Sequence, residues 1–131
     1  MESIAVLLAE DEFIIRTDIE TALKEAGFEV VCAEDGAEAM AMFDAEPSRF
    51  RLVLTDIQLG RGIDGWEVGR HVRETAPAMP VIYMSGNSVA DWRSQGVPES
   101  LMIAKPFVMA QIITAVSTLL NQASTDTLPP G

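Results

Sequence analysis

Several polar residues that could do chemistry follow directly on short apolar segments of the sequence. They are Glu10, Asp11, Asp56, Ser85 and Lys105. The set combines three carboxylates, a hydroxyl and one of the two lysines of the chain. If the apolar segments are parallel strands, their carboxyl ends meet at one edge of a sheet, where α/β proteins bind their ligands. We therefore expect the five side chains to lie close together.

Three clustered carboxylates need a cation beside them. Two unit charges ~4 Å apart at an effective dielectric constant of ~20 repel by about 4 kcal/mol. Carboxylate oxygens and water suit Mg²⁺, whereas one cysteine and one histidine do not make a zinc site. A lysine neutralises one phosphoryl oxygen and a serine hydroxyl donates to another. The set therefore fits a carboxylate nucleophile that receives a phosphoryl group.

Five apolar segments are predicted as the strands that would position these residues. They are continuous in apolar residues, which indicates strands buried on both faces. Segments with helical spacing lie between them, and this alternation specifies a parallel sheet covered on both faces. The fold class is therefore α/β, a single doubly wound (βα)5 domain. The predicted strands are residues 4–9, 30–33, 52–55, 81–84 and 101–104.

Helix signals support this interpretation. A first helix presents Ile15, Ile19, Leu23 and Ala26 on one face, and Gly27 can end it. Asp-x-x-Glu sequences at 35–38 and 64–67 have the spacing of an N-cap residue and its reciprocal partner, so they predict the starts of the second and third helices. These helices stop near Pro47 and Pro77. A fourth, around residues 89–95, is weakly signalled, and a last helix after Pro106 carries the stripe Ile113, Val116 and Leu120.

Length and composition restrict the possible domain organisation and binding partners. A chain of 131 residues suggests one domain, which we place at residues 1–123. Residues 124–131, rich in Thr and Pro, are interpreted as a flexible tail or linker stump. Nine Lys and Arg against 20 Asp and Glu give a net charge of −11, which argues against direct binding of nucleic acid. A hydrophobic fraction of 48% excludes a disordered chain.

The sequence also predicts where the protein resides. No apolar run approaches the ~20 residues of a membrane span, so we expect no membrane association. The first apolar run is too short for the core of a signal peptide. The single Cys32 fits a reducing compartment. We therefore expect a cytoplasmic protein.

At these residues the sequence resembles a response-regulator receiver domain of two-component signalling, in the CheY-like superfamily. The resemblance covers residues 4 to about 122. It rests on several marks in order: Glu10-Asp11, Asp56, Asp64-Gly65, Ser85-Gly86 and Lys105-Pro106-Phe107. The resemblance implies a sheet with strand order 2-1-3-4-5. It also implies a signalling domain whose only catalysis is its own phosphorylation and dephosphorylation.

The resemblance assigns a role to each residue of the acidic cluster. Asp56 would accept a phosphoryl group from a sensor histidine kinase or a histidine phosphotransfer protein. Asp11, Asp56 and the backbone carbonyl of Gln58 would bind Mg²⁺ directly, with Glu10 acting largely through water. The phosphorylated domain would then act on a downstream protein target or on an output domain that is missing from this chain.

The remaining implied roles concern the other two strands. Ser85 and Lys105 would hold the phosphoryl oxygens, and the Lys105-Pro106 peptide would be cis. Met102 stands where the family usually has an aromatic residue, which puts an aromatic switch coupled to Ser85 in doubt. Trp92 in the weak fourth helix is assigned either to packing or to a partner surface. We predict that Met102, Trp92 and Pro106 belong to a switch or partner surface. The loop between Asp56 and Asp64 is one residue longer than is usual in the family.

Particular residues bear on three alternative functions. A haloacid-dehalogenase-like phosphatase also uses an Asp nucleophile, but its D-x-D signature fails because Gln58 follows Asp56 two residues on. A pseudo-receiver that serves as a constitutive scaffold stays open until phosphorylation is tested. The glycines at 60–65 match a dinucleotide fingerprint, yet they follow the third predicted strand, so we interpret them as turn residues. His71 is interpreted as an ordinary helix residue.

Overall fold

The computed structural model describes residues 5–127, and the side chains of residues 5–122. The strands are β1 (Ala5–Ala9), β2 (Glu29–Ala33), β3 (Phe50–Asp56), β4 (Val81–Ser85) and β5 (Leu101–Ala104). The helices are α1 (Phe13–Glu25), α2 (Gly36–Ala45), α3 (Gly65–Thr75), α4 (Trp92–Gln95) and α5 (Met109–Thr127). Short 3₁₀ turns lie at Pro47–Arg49 and Val89–Asp91. The predicted alternation of strands and helices is confirmed.

All five strands form one parallel sheet in the order β2-β1-β3-β4-β5. The predicted α/β fold class and strand order are therefore confirmed. The chain runs from β1 to β2 on one side of the sheet and from β3 to β4 on the other side. The carboxyl ends of β1 and β3 therefore flank a crevice. Every residue of β1 and of β4 is buried, as expected for strands covered on both faces.

Two apolar layers cover the sheet. One packs beneath α2 and α3 and contains Phe43 and Val68, both fully buried. The other packs beneath α1 and α5 and contains Ile19 and Val116, also fully buried. Because consecutive strand residues point to opposite layers, the strands are fixed on both faces and their carboxyl ends hold a defined position.

The predicted N-caps are present. Asp35 Oδ1 accepts a hydrogen bond from the Glu38 N–H at 2.8 Å, and Asp64 Oδ1 accepts one from the Glu67 N–H at 2.9 Å. The Glu38 carboxylate accepts a hydrogen bond from the Glu34 N–H. The expected donor was the N–H of the N-cap residue Asp35, one position later. These caps fix the starts of α2 and α3.

Some predicted boundaries differ from the structure. Helix α5 extends to Thr127, so the first four residues of the predicted tail are helical, whereas residues 128–131 lie outside the described residues. The predicted start of the first strand, residue 4, also lies outside them. In α5 the fully buried stripe is Ile112 and Val116, and Ile113 is only half-buried. Ile113 and Leu120 also pack against this layer, so the predicted stripe is confirmed, and Ile112 widens it.

Within residues 5–127, no helix is long and apolar enough to cross a membrane. The cytoplasmic location stays a prediction.

Candidate functional site

The five residues singled out from the sequence lie at one edge of the sheet. Glu10 and Asp11 follow β1, Asp56 ends β3, Ser85 ends β4 and Lys105 follows β5. Glu10 is 0% exposed, Ser85 1% and Asp56 5%, whereas Asp11 is exposed. A cleft of about 280 Å³ opens above Asp56, and its lining includes Asp11, Gln58, Ser85 and Lys105.

Lys105 links two of the carboxylates. Its Nζ donates to Asp56 Oδ2 at 2.6 Å and to Glu10 Oε1 at 3.2 Å. Burial lowers the pKa of Lys105, but its hydrogen bond to Asp56 and the charges of Asp56 and Glu10 outweigh burial and raise the pKa above its usual value. The lysine therefore carries its charge at neutral pH and supplies the cation that the acidic cluster needs.

Glu10 is the least solvated acid of the site. Burial and the neighbouring charge of Asp56 raise the pKa of Glu10 to about 8, against the opposing effects of the Glu12 N–H and Lys105. The Glu12 N–H donates to Glu10 Oε2 at 3.2 Å, and Arg16 donates to the Glu10 carbonyl oxygen at 2.8 Å. In the absence of a metal ion, the side chain of Glu10 therefore holds a proton at pH 7.

Asp56 is held on two sides. Its Oδ1 accepts from the Gln58 N–H at 3.2 Å, while Oδ2 faces Lys105. Helix α3 begins directly behind it at Gly65, where an added Cβ would lie 2.1 Å from the Asp56 carbonyl oxygen. Only glycine permits this approach. The Gly65 N–H donates to the Ile57 carbonyl at 2.8 Å, which fixes the backbone just after Asp56.

The acidic cluster has the composition of a hard-cation site. One carboxylate oxygen from each of Glu10, Asp11 and Asp56 can be chosen so that all lie within 4.8 Å of one another. These ligands are all oxygens, and Asp11 is exposed toward solvent, which leaves room for coordinated water. The residues present therefore fit a hydrated divalent cation such as Mg²⁺. Gln58 lines the same cleft.

Ser85 supports the loop beyond β4. Its Oγ accepts hydrogen bonds from the N–H groups of Asn87, at 3.2 Å, and Ser88, at 2.7 Å. Gln58 Nε2 donates to Asn87 Oδ1 at 3.2 Å and so joins the loop after β3 to the loop after β4. Asn87 was missed in the sequence because no motif marks it. Its place two residues after Ser85 was the only available signal.

The predicted switch residues lie further along β5 and α4. Met102 is half-buried and pairs with Tyr83 of β4 in the sheet. Trp92 is half-buried against the apolar layer beneath α2 and α3, and its Nε1 donates to Ser100 Oγ at 2.9 Å. Pro106 is exposed, and the Lys105-Pro106 peptide is cis as the resemblance implied.

Two weaker motifs are explained by packing and turns. Gly60 and Gly62 have φ values of +80° and +94°, which the loop requires and which favour glycine. His71 is half-buried in α3, where its Nε2 lies 2.7 Å from Asp44 Oδ1 of α2. Neither the glycines nor His71 line the cleft above Asp56.

A doubly wound sheet whose strand ends deliver carboxylates, a hydroxyl and a lysine to one crevice defines a class of α/β signalling domains. The sequence profile of the response regulator receiver domain matches residues 6–117. The chain therefore belongs to the response-regulator receiver family.

Solved and curated relatives agree with this assignment. A response regulator receiver protein of Sinorhizobium medicae has a TM-score of 0.87 and 45% identity over 92% of this chain and 96% of that one. The receiver protein CpdR of Brucella abortus is 29% identical over 90% of this chain and 98% of its own length.

A third relative bears on the metal. The receiver domain of the sensor histidine kinase PA1611 of Pseudomonas aeruginosa has a TM-score of 0.75 and 27% identity over 91% of this chain and 98% of that chain. That structure has a magnesium ion coordinated in its active site cleft. The chain spans about half the length of several other curated relatives that it matches.

Proposed function

We propose that this receiver domain accepts a phosphoryl group on Asp56 from a histidine-phosphorylated kinase or phosphotransfer protein. The observation that carries the proposal is the position of the Asp56 carboxylate, 2.6 Å from Lys105 Nζ at the base of an open cleft. An Asp56 oxygen attacks phosphorus, the bond from phosphorus to the donor histidine nitrogen breaks, and the imidazole nitrogen takes up a proton. The product is an aspartyl phosphate.

Lys105 and Ser85 stabilise the transferred group. Lys105 Nζ stands beside Asp56 and neutralises an oxygen of the incoming phosphoryl group. Ser85 Oγ already accepts two backbone hydrogen bonds, so its own O–H is available to donate to another phosphoryl oxygen. Both side chains act from strands adjacent to one another in the sheet.

The reaction uses Mg²⁺, which Asp11, Asp56 and the Gln58 carbonyl would hold directly and Glu10 largely through water. The mutual approach of the carboxylates supports this assignment, as does the magnesium ion in the cleft of the similar PA1611 domain. When bound, the ion neutralises the charge that gathers between carboxylate and phosphoryl oxygens. The buried Glu10, whose pKa is about 8, gives up its proton more readily beside a cation.

Exposed apolar side chains that follow cleft residues in the chain offer contacts to the phosphodonor protein. Phe13 and Ile14 begin α1, directly after the acidic residues that follow β1, and are 69% and 73% exposed. Val108, just before α5, is 63% exposed. Exposed apolar side chains near a reactive cleft favour a protein partner. The net charge of −11 disfavours direct nucleic-acid binding by this domain, so its output passes through a protein target or an output domain.

Intact-mass measurement tests the assignment. The protein is incubated with Mg²⁺ and acetyl phosphate, and the wild type should gain one phosphoryl group. Asp56→Asn should gain none, because the nucleophile is lost. Asp44→Asn makes the same change on α2, away from the cleft, and should be labelled like the wild type. Labelling of Asp56→Asn at the wild-type level would refute the acceptor role. A wild type that gains no phosphoryl group would favour a constitutive scaffold.

A further inference from the structure

Residues 86–100, here called the α4 segment, are fastened to β4 at both ends by side-chain hydroxyls. At the start of the segment, Ser85 Oγ accepts from two backbone N–H groups. At the far end, the Val97 N–H donates to the Tyr83 hydroxyl over 3.1 Å, and this hydrogen bond is buried. Tyr83 and Ser85 are two residues apart on β4, so their side chains point to the same face of the sheet.

The Tyr83 hydroxyl has a fixed position. The residue is 0% exposed, and its ring packs on Trp66 with the ring centroids 4.7 Å apart. On the α3 side it faces Gly69, where an added Cβ would lie 2.3 Å from the hydroxyl oxygen. Helix α3 therefore leaves space for the hydroxyl only because residue 69 is glycine. Burial raises the pKa of Tyr83, so the hydroxyl keeps its proton at neutral pH.

Val97 connects this anchor to Trp92. The Val97 carbonyl accepts from Ser100 Oγ at 2.6 Å, and Ser100 Oγ in turn accepts from Trp92 Nε1 at 2.9 Å. Helix α4 has only four residues and cannot hold itself in place. The hydrogen bonds from Arg70 and Arg73 of α3 to the segment are exposed to solvent.

We propose that Tyr83 is a positioning residue that anchors the α4 segment at Val97, so that a change at Ser85 alters the surroundings of Trp92. The inference rests on the proposed phosphorylation of Asp56. When Ser85 turns its hydroxyl to a phosphoryl oxygen, the start of the α4 segment shifts while Tyr83 keeps the far end on β4. The segment moves as a hinged unit, and the surroundings of the Trp92 indole change. Met102 on β5 stands where the family usually has an aromatic residue. Tyr83, its partner on the neighbouring strand β4, supplies an aromatic side chain instead.

The test uses Tyr83→Phe, which removes the hydroxyl and keeps the ring against Trp66. Without a phosphodonor, the Val97 amide should exchange with solvent roughly tenfold faster in the variant, as measured by NMR. With Mg²⁺ and the phosphoryl mimic beryllofluoride, amide peaks around Asp56 should shift in both proteins. The Trp92 indole N–H peak should shift only in the wild type. Ser94→Ala removes an exposed hydroxyl within the same segment and should behave like the wild type.

Gly69→Ala provides a second, independent variant. Its methyl group displaces the hydroxyl of Tyr83 and should also release Val97. In the Tyr83→Phe background the nearest ring atom is 3.0 Å from that methyl, so stability lost in Gly69→Ala should be partly recovered.

Two results would overturn the role of Tyr83: equal exchange of the Val97 amide in wild type and Tyr83→Phe, or an equal response of the Trp92 indole to beryllofluoride. A wild type whose amides around Asp56 do not respond to the mimic would instead overturn the proposed phosphorylation. The Val97 exchange rate would still decide whether the anchor exists.

Discussion

Glu10 makes the stability of the metal-free protein depend on pH. Its pKa is about 8 in the folded protein, against an ordinary value of 4.5. Between these values the folded state binds a proton that the unfolded state lacks. The stabilisation is therefore complete below about pH 4.5 and is lost as pH rises through 8. Between pH 6 and pH 8, Glu10 should contribute a loss of up to about 2 kcal/mol in the free energy of unfolding.

Denaturation by urea in the presence of EDTA measures this loss at each pH. Glu10→Gln cannot titrate and should remove most of the pH dependence. Glu25→Gln, which replaces an exposed carboxylate at the end of α1, should retain the pH dependence. The same pH dependence in wild type and Glu10→Gln would assign the titration to another group.

At the scale of elements, the contact of α3 with the end of β3 positions Asp56. Gly65→Ala would place a methyl carbon 2.1 Å from the backbone oxygen of Asp56, so strand and helix must separate. We expect a loss of about 1–3 kcal/mol in stability and slower labelling by acetyl phosphate, measured by urea denaturation and intact mass.

Gly86→Ala is the matched control for this prediction. Gly86 also lines the cleft, but an added Cβ there meets only Lys105 Cβ at 3.8 Å, which is an ordinary contact. Its stability should stay within about 0.5 kcal/mol of the wild type. Comparable losses in both variants would show that the close approach of Gly65 does not position Asp56.

The elements differ in how far the sequence predicts them. Strands were predictable because buried parallel strands are continuous in apolar residues, and α2 and α3 because their N-cap residues are local in sequence. Helix α4 was weak in the sequence because a single turn has neither a stripe nor a cap. In α5 the predicted stripe packs on the core, but Ile112, the more deeply buried of two adjacent isoleucines, was missed because the two residues are equally apolar.

Contacts in and around the candidate site also differ in how far the sequence predicts them. Residues at strand ends were predictable because the topology brings all the strand ends to one edge of the sheet. The bonds from Gln58 to Asn87 and from Val97 to Tyr83 were not, because they join residues 29 and 14 positions apart that belong to no motif. Such pairs depend on how loops pack, which short-range patterns do not encode.

At the scale of the whole molecule, negative charge is unevenly distributed. Residues 10–46 contain twelve of the 20 acidic residues and two of the nine basic ones. This stretch includes α1, β2 and α2 and carries Glu10 and Asp11 at its start. Binding of a divalent cation there should therefore stabilise the native state as a whole.

Mg²⁺ at ten times its dissociation constant should contribute about 1.4 kcal/mol to the free energy of unfolding. For a domain of this size the melting temperature should rise by roughly 3–6 °C, measured at constant ionic strength. Asp11→Asn should reduce the rise, because it removes a ligand without breaking the ion pair between Asp56 and Lys105. Asp18→Asn makes the same change at an exposed position of α1 and should keep the full rise. Identical rises in all three proteins would place the metal elsewhere.

The hydrogen bond from Lys105 to Glu10 joins residues 95 positions apart, and it has a consequence for biosynthesis. Until Lys105 has left the ribosome, the growing chain contains the acidic cluster without the lysine that neutralises it. The lysine follows β5, which lies at an edge of the sheet and is the last of its five described strands in chain order. Docking of β5 therefore completes both the sheet and the charge balance of the site. A nascent chain that ends before β5 contains Asp56 but lacks the lysine that completes the candidate site.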